Sequence, residues 1–256
     1  MKAQLIIASC IVALGASAQD WAKAKLEKSS RHQEWVKVEN GKRKVESFVV
    51  YPEVKDKAAA VIVIHEIFGL SDWARLAADE FAEAGYIAIA PDFLSGSTYE
   101  GIDDARKAIS TLPADQITGD LDAAANYVAK LPACNGKVAV AGFCWGGSQS
   151  FRYATNNKNL KAAFVFYGNG PESEEAIERI ACPVYGFYGG NDNRVNATIP
   201  KSTQLMKKDG KTYDPVTYEG AGHGFMRAGE DPSGQEANKK ARESAWMRWL
   251  ALLKKL

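Results

Sequence analysis

The chain alternates short, almost wholly apolar runs with longer amphipathic stretches. Residues 58–64 read Ala-Ala-Ala-Val-Ile-Val-Ile, a continuous apolar run of the kind buried on both faces of a parallel sheet. From Ser71 the apolar positions Trp73, Leu76, Ala77 and Phe81 recur at helical spacing, with Ser71 or Asp72 as the cap and Gly85 as the stop. A second apolar run, residues 86–90, ends at Pro91-Asp92, and strand, helix, strand at this spacing is a βαβ unit. The same alternation predicts strands over residues 137–143, 162–167, 183–188 and 212–218. Between and after them it predicts helices around 121–131, 173–180, 198–208 and 235–253. In the last helix Ala241, Ala245, Trp249 and Leu253 fall at four-residue steps. Upstream, residues 35–38 and 45–51 alternate around Asn40-Gly41 and predict a hairpin closing on that dipeptide, while residues 20–34 are charged and helix-permissive. The polar stretch 95–104 is expected to pass over the sheet as an irregular excursion. The expected architecture is α/β, a mostly parallel central sheet with helices on both faces.

The first residues have a different pattern. Lys2, an apolar run over residues 5–14 and then Ala16-Ser17-Ala18 match an export signal cleaved before Gln19. Residues 1–18 are therefore expected to be a signal peptide and residues 19–256 a single domain, periplasmic or secreted, with no membrane association after cleavage. With 256 residues, 46% hydrophobic and 25% charged, the composition is that of a globular protein with a sizeable core. Thirty-two basic against 31 acidic residues, interspersed, give no field that would recruit nucleic acid. No glycine loop has phosphate-binding spacing and no Cys/His cluster suggests a metal, so neither cofactor nor metal is expected. The oligomeric state is left open.

Chemistry concentrates where the run 137–143 meets a helix, in Gly142-Phe143-Cys144-Trp145-Gly146-Gly147. Gly-x-Cys-x-Gly is the cysteine counterpart of the nucleophile elbow of α/β-hydrolases, in which a strained residue sits between strand and helix and its neighbours two places away must be small. The helix N-terminus is expected to lower the thiol pKa. A glycine-rich turn with a buried structural cysteine would give the same letters. Order along the chain separates the two. An aspartate follows in Gly189-Gly190-Asn191-Asp192, and a histidine in Gly220-Ala221-Gly222-His223-Gly224. Nucleophile, acid, histidine is the α/β-hydrolase order. Of the remaining cysteines, Cys134 and Cys182 both precede predicted strands and are a candidate disulfide pair in an exported protein, though two free thiols would look the same. His65 directly follows a buried strand and is expected to satisfy a backbone partner near the site.

With Cys144, Asp192, His223 and the loop His65-Glu66-Ile67-Phe68-Gly69 in place, residues 35–252 resemble the dienelactone hydrolase family of α/β-hydrolases. The resemblance implies a Cys144-His223-Asp192 triad, with Glu66 interacting with the thiol and controlling when thiolate forms. Arg227, four residues past the histidine, then matches the family's substrate-carboxylate arginine, and Arg106 is the nearest match to a second one. Backbone amides of Trp145 and Ile67 are the expected oxyanion donors, and Phe68 and Trp145 the expected pocket walls. Trp145 stands where the family usually has a smaller apolar residue. The implied activity is hydrolysis of an ester or enol lactone, carboxylate-bearing if the arginines act as in the family, through a cysteine thioester. Cysteine favours esters and lactones over amides, because thiolate leaves a tetrahedral intermediate more easily than an unprotonated amide nitrogen. A non-catalytic or redox-responsive ligand-binding protein and an acyltransferase remain the alternatives.

Overall fold

A computed structural model describes residues 19–256. The expected signal peptide lies outside the described residues. The elements are α1 (Asp20–Leu26), β1 (Gln33–Asn40), β2 (Arg43–Val50), β3 (Ala58–Ile64), α2 (Asp72–Glu83), β4 (Ile87–Pro91), α3 (Ile102–Ser110), α4 (Ala114–Ala129) and β5 (Cys134–Phe143). They continue as α5 (Trp145–Ala154), β6 (Ala163–Phe166), α6 (Glu174–Glu178), β7 (Val184–Gly189), α7 (Asn193–Asn196), α8 (Ile199–Lys208), β8 (Tyr213–Tyr218), α9 (Phe225–Glu230) and α10 (Glu236–Leu253).

The strands form one sheet in the order β1-β2-β4-β3-β5-β6-β7-β8. From β4 to β8 every pairing is parallel, and only the β1–β2 and β2–β4 pairings are antiparallel. All seven residues of β3 are buried, and they divide by parity. Val61 and Val63 face a core completed by Trp73 and Phe81 of α2 and Trp249 of α10. Ala60, Ile62 and Ile64 face the opposite core, with Leu121 of α4, Phe151 of α5 and Met206 of α8. Each face is thus covered by helices, which is why the central strands read as unbroken apolar runs. Burying a side chain as large as Trp249, fully enclosed here, is worth about 2–3 kcal/mol or more.

Several expectations change in detail. The hairpin pairs Asn40 with Arg43, so its two turn residues are Gly41 and Lys42, with Gly41 at φ +59°. Asn40 is the last ladder residue, because the register is set by burying Val38 and Val45 on one face. Residues 33–34 belong to β1. The polar excursion after β4 ends in the first turn of α3, whose buried contribution is only Ala105 and Ile109. Cys134 and Cys182 are free thiols. Strands β5 and β7 flank β6, which separates them by about 10 Å, beyond disulfide reach. Among the described residues, no helix is long and apolar enough to cross a membrane.

Candidate active site

Because the strands from β3 to β8 are parallel, their C-terminal ends share one edge of the sheet, and the loops leaving β3, β5, β7 and β8 meet there. Cys144 caps α5 at φ 58° and ψ −116°, a strained backbone conformation for a non-glycine residue. Tight packing enforces the strain. A Cβ on Gly142 would overlap the Gly146 carbonyl, and one on Gly146 would overlap the carbonyls of Ile64 and His65. Glycine is therefore required on both sides of the cysteine.

Cys144 Sγ lies 3.1 Å from His223 Nε2, and His223 Nδ1 lies 2.5 Å from Asp192 Oδ2. Asp192 is itself fixed, since it caps α7 by accepting a hydrogen bond from the Val195 amide on Oδ1 at 3.3 Å. The acid and histidine loops are tied by the Asn191 amide donating to the Ala221 carbonyl at 2.9 Å. The Tyr167 ring, at the end of β6, meets the His223 ring edge-on at 5.1 Å between centroids. Three residues 31 to 79 positions apart thus form one relay.

The thiol departs from the sequence expectation. Burial and the Glu66 carboxylate push its pKa up to about 11, against the opposing pull of the Trp145 and Ile67 amides and Arg194. An upward move from 9.0 to about 11 disfavours thiolate by roughly 3 kcal/mol. A helix N-terminus supplies about 0.3–1 kcal/mol in the usual case. Desolvation wins, and the resting sulfur is protonated.

Glu66 is buried and accepts a hydrogen bond from Arg227 Nε at 2.7 Å, while the Arg227 guanidinium lies over the Phe68 ring at 5.4 Å. His65 is buried beside it, with Nδ1 2.6 Å from the Glu66 carbonyl oxygen, the backbone partner expected of it. Glu66, Arg227 and Phe68 line a cavity of about 720 Å³ together with Ile67, Trp145, Arg106 and the triad-like cluster, and His65 packs against the Trp145 ring of that lining. Every residue singled out in the sequence for the site reaches this cavity or its wall. Arg194 and Tyr167 also line it and were not singled out. Arg194 was legible as the cation two residues beyond Asp192, and Tyr167 as the last residue of a predicted strand.

The dienelactone hydrolase family model matches residues 45–256. The chain belongs to the dienelactone hydrolase family. It is a hydrolase of that type within the α/β-hydrolase superfamily. A Saccharolobus solfataricus protein named "Putative carboxymethylenebutenolidase" is 30% identical over 250 residues, covering 83% of this chain and 95% of that one. An Escherichia coli protein of the same name is 31% identical over 209 residues, 76% of each chain. Among solved structures, a dienelactone hydrolase of Klebsiella pneumoniae described as putative superposes with a TM-score of 0.79 at 27% identity, covering 89% of this chain and all of that one.

Proposed function

We propose that this family member hydrolyses carboxylic esters or enol lactones through a thioester on Cys144, with His223 as general base and acid and Asp192 orienting the imidazole. The observation that carries the reading is the unbroken relay from sulfur to imidazole to carboxylate, at 3.1 and 2.5 Å. Asp192 accepts from Nδ1–H, which leaves Nε2 as the lone-pair nitrogen facing the thiol. As sulfur attacks the carbonyl carbon, its proton passes to Nε2, and the carbonyl π electrons move onto oxygen. The Trp145 and Ile67 amides, already directed at the sulfur, stabilise that oxyanion. Collapse expels the alkoxide or enolate, which takes the proton back from Nε2. A water then gives its proton to Nε2 and attacks the thioester, and the thiol is reprotonated as the acid leaves. A protonated resting thiol suits this sequence, because thiolate forms only as the substrate accepts it.

The substrate of this reading carries an anionic group. Among the described residues, Arg106 and Arg194 line the cavity without forming an ion pair, whereas Arg227 is matched by Glu66. The two unmatched arginines therefore supply the net positive charge of the pocket, and the name of the relatives points to lactones as the class. The export expected from residues 1–18 belongs to the same proposal and rests on their sequence pattern. N-terminal sequencing of mature protein beginning at Gln19 would support it, and an intact Met1 or Lys2 terminus would refute it.

Intact-mass analysis during turnover of an activated ester tests the covalent step. An acyl adduct that is absent in Cys144→Ala supports it. Turnover that persists in Cys144→Ala eliminates it. Product analysis with added alcohols separates hydrolysis from acyl transfer.

A further inference from the structure

His65 is not part of the relay, yet it contacts the carbonyl of the Glu66–Ile67 peptide and the ring of Trp145, beside the two oxyanion amides. The ring is fully enclosed. Burial lowers its pKa and keeps it neutral. Its Nδ1 lies 2.6 Å from the Glu66 carbonyl oxygen, and because a carbonyl only accepts, Nδ1 carries the proton. Nε2 then holds the lone pair, and it has no hydrogen-bond partner among the described residues. The carbonyl it binds belongs to the peptide unit whose other end is the Ile67 N–H. In a planar trans peptide the C=O and N–H point in opposite directions, so the bond that aims one aims the other. On its flank the imidazole stacks with the Trp145 ring, 5.5 Å between centroids and 27° between planes, and Phe93 closes the far side at 5.4 Å. The amides of Ile67 and Trp145 are the two that reach the Cys144 sulfur.

We infer that His65 is a positioning residue for the oxyanion hole, acting as the neutral Nδ1–H tautomer that fixes the 66–67 peptide plane and so aims the Ile67 amide at the reacting centre. The chemistry it serves rests on the cysteine-hydrolase reading. The geometry of the anchored peptide does not. Loss of an oxyanion donor typically costs about 100-fold to 1,000-fold in kcat, and a donor left in place but free to turn loses part of that.

Two variants separate hydrogen bonding from packing. His65→Phe keeps an aromatic ring against Trp145 and Phe93 and removes the N–H. His65→Asn keeps a donor close to the Nδ1 position. Steady-state kinetics on an ester that the wild type turns over, the pH profile of Cys144 alkylation by iodoacetamide, and the melting temperature are measured for both. The expected result for His65→Phe is a fall in kcat of about 10-fold to 100-fold, with KM within about twofold. Its alkylation profile moves to higher pH, because the Ile67 amide no longer steadies the thiolate. His65→Asn recovers most of both. An unchanged kcat and profile in a folded His65→Phe would overturn the inference, as would a folded His65→Asn no better than Phe. If the wild type turns over no ester or lactone, the hydrolase reading fails by itself, and the alkylation profile still decides the role of His65. If His65→Phe does not fold, near-wild-type kcat and profile in His65→Asn support the inference, and loss of either at an intact melting temperature overturns it.

Discussion

Arg227 and Glu66 form a partly sheltered ion pair 161 residues apart in sequence, with Nε donating to Oε2 at 2.7 Å in the lining of the cavity. The carboxylate of this pair, together with burial, holds the Cys144 thiol in its protonated form. A neutral side chain at position 66 removes that repulsion, so the thiol pKa falls and the thiolate fraction at a given pH rises. Glu66→Gln is expected to move the iodoacetamide alkylation profile to lower pH and to speed alkylation at pH 8 by severalfold. An unmoved profile would mean that Glu66 does not act on the sulfur.

Arg194 and Arg227 are expected to differ in kind. Arg194 lines the cavity without an ionic partner among the described residues, so Arg194→Ala removes a charge that an anionic substrate uses directly, besides the smaller help it gives the Cys144 thiolate with every substrate. A charge-assisted hydrogen bond of about 1.5–3 kcal/mol corresponds to a loss of about tenfold or more in kcat/KM. Arg194→Ala is expected to show that loss for carboxylate-bearing esters and much less for neutral ones. Arg227→Ala strands the buried Glu66 charge beside the thiol and lowers kcat/KM for both classes. Equal losses in Arg194→Ala for charged and neutral esters would remove Arg194 from substrate recognition.

Glycine at position 146 is a steric requirement. A Cβ there meets the backbone carbonyls of Ile64 and His65, which belong to a fully buried strand and its first loop residue and have no room to retreat. Gly146→Ala is expected to destabilise the fold by about 1–3 kcal/mol or more, read as a lowered midpoint in denaturant. It also displaces the Trp145 amide, so any folded fraction loses kcat. A variant with the wild-type midpoint would show that the elbow can open.

How much of this was readable beforehand follows from the range of the forces involved. The run at 58–64 is β3 to the residue, and the Ser71 cap does accept from the Ala74 amide, because apolar runs and caps are local properties. The order Cys144, Asp192, His223 carried the site because parallel strands deliver their loops to one edge whatever lies between them. Helix α3 leaves little periodic signal because its buried face is two residues wide, and α9 little because it turns directly out of the histidine loop. The direction of the thiol pKa differs from the sequence expectation for another reason. The helix N-terminus is visible in sequence, while desolvation comes from the packed fold and the Glu66 charge from a loop about 80 residues away. The free state of Cys134 and Cys182 likewise depends on β6 lying between their strands, a fact of strand order rather than spacing.

The segment carrying Arg227 is anchored at its far end by a buried charge cluster, and this makes stability depend on pH. Arg242 of α10 donates to both Glu80 oxygens, at 2.7 and 2.8 Å, and lies 3.0 Å from Glu230 at the end of α9. Lys25 and the Trp73 indole also donate to Glu230, at 3.1 and 3.0 Å. With two carboxylates and one central guanidinium, burial and the Glu230 charge push the Glu80 carboxyl up to about 8 from 4.5. Its folded pKa exceeds its unfolded one. Below about pH 4.5 both states hold the proton and the group contributes no difference. Between there and about pH 8 the unfolded chain releases a proton that the folded chain keeps, so stability falls as pH rises, and above pH 8 the loss is complete. The ceiling of that loss is about 5 kcal/mol, shared with Glu230 through Arg242. Glu80→Gln stays neutral throughout and escapes it. The melting temperature of Glu80→Gln minus that of the wild type is therefore expected to climb steadily from pH 5 to pH 8 and then level off. A difference that stays flat across that window would mean that Glu80 is ionised in the fold and that Arg242 neutralises both carboxylates.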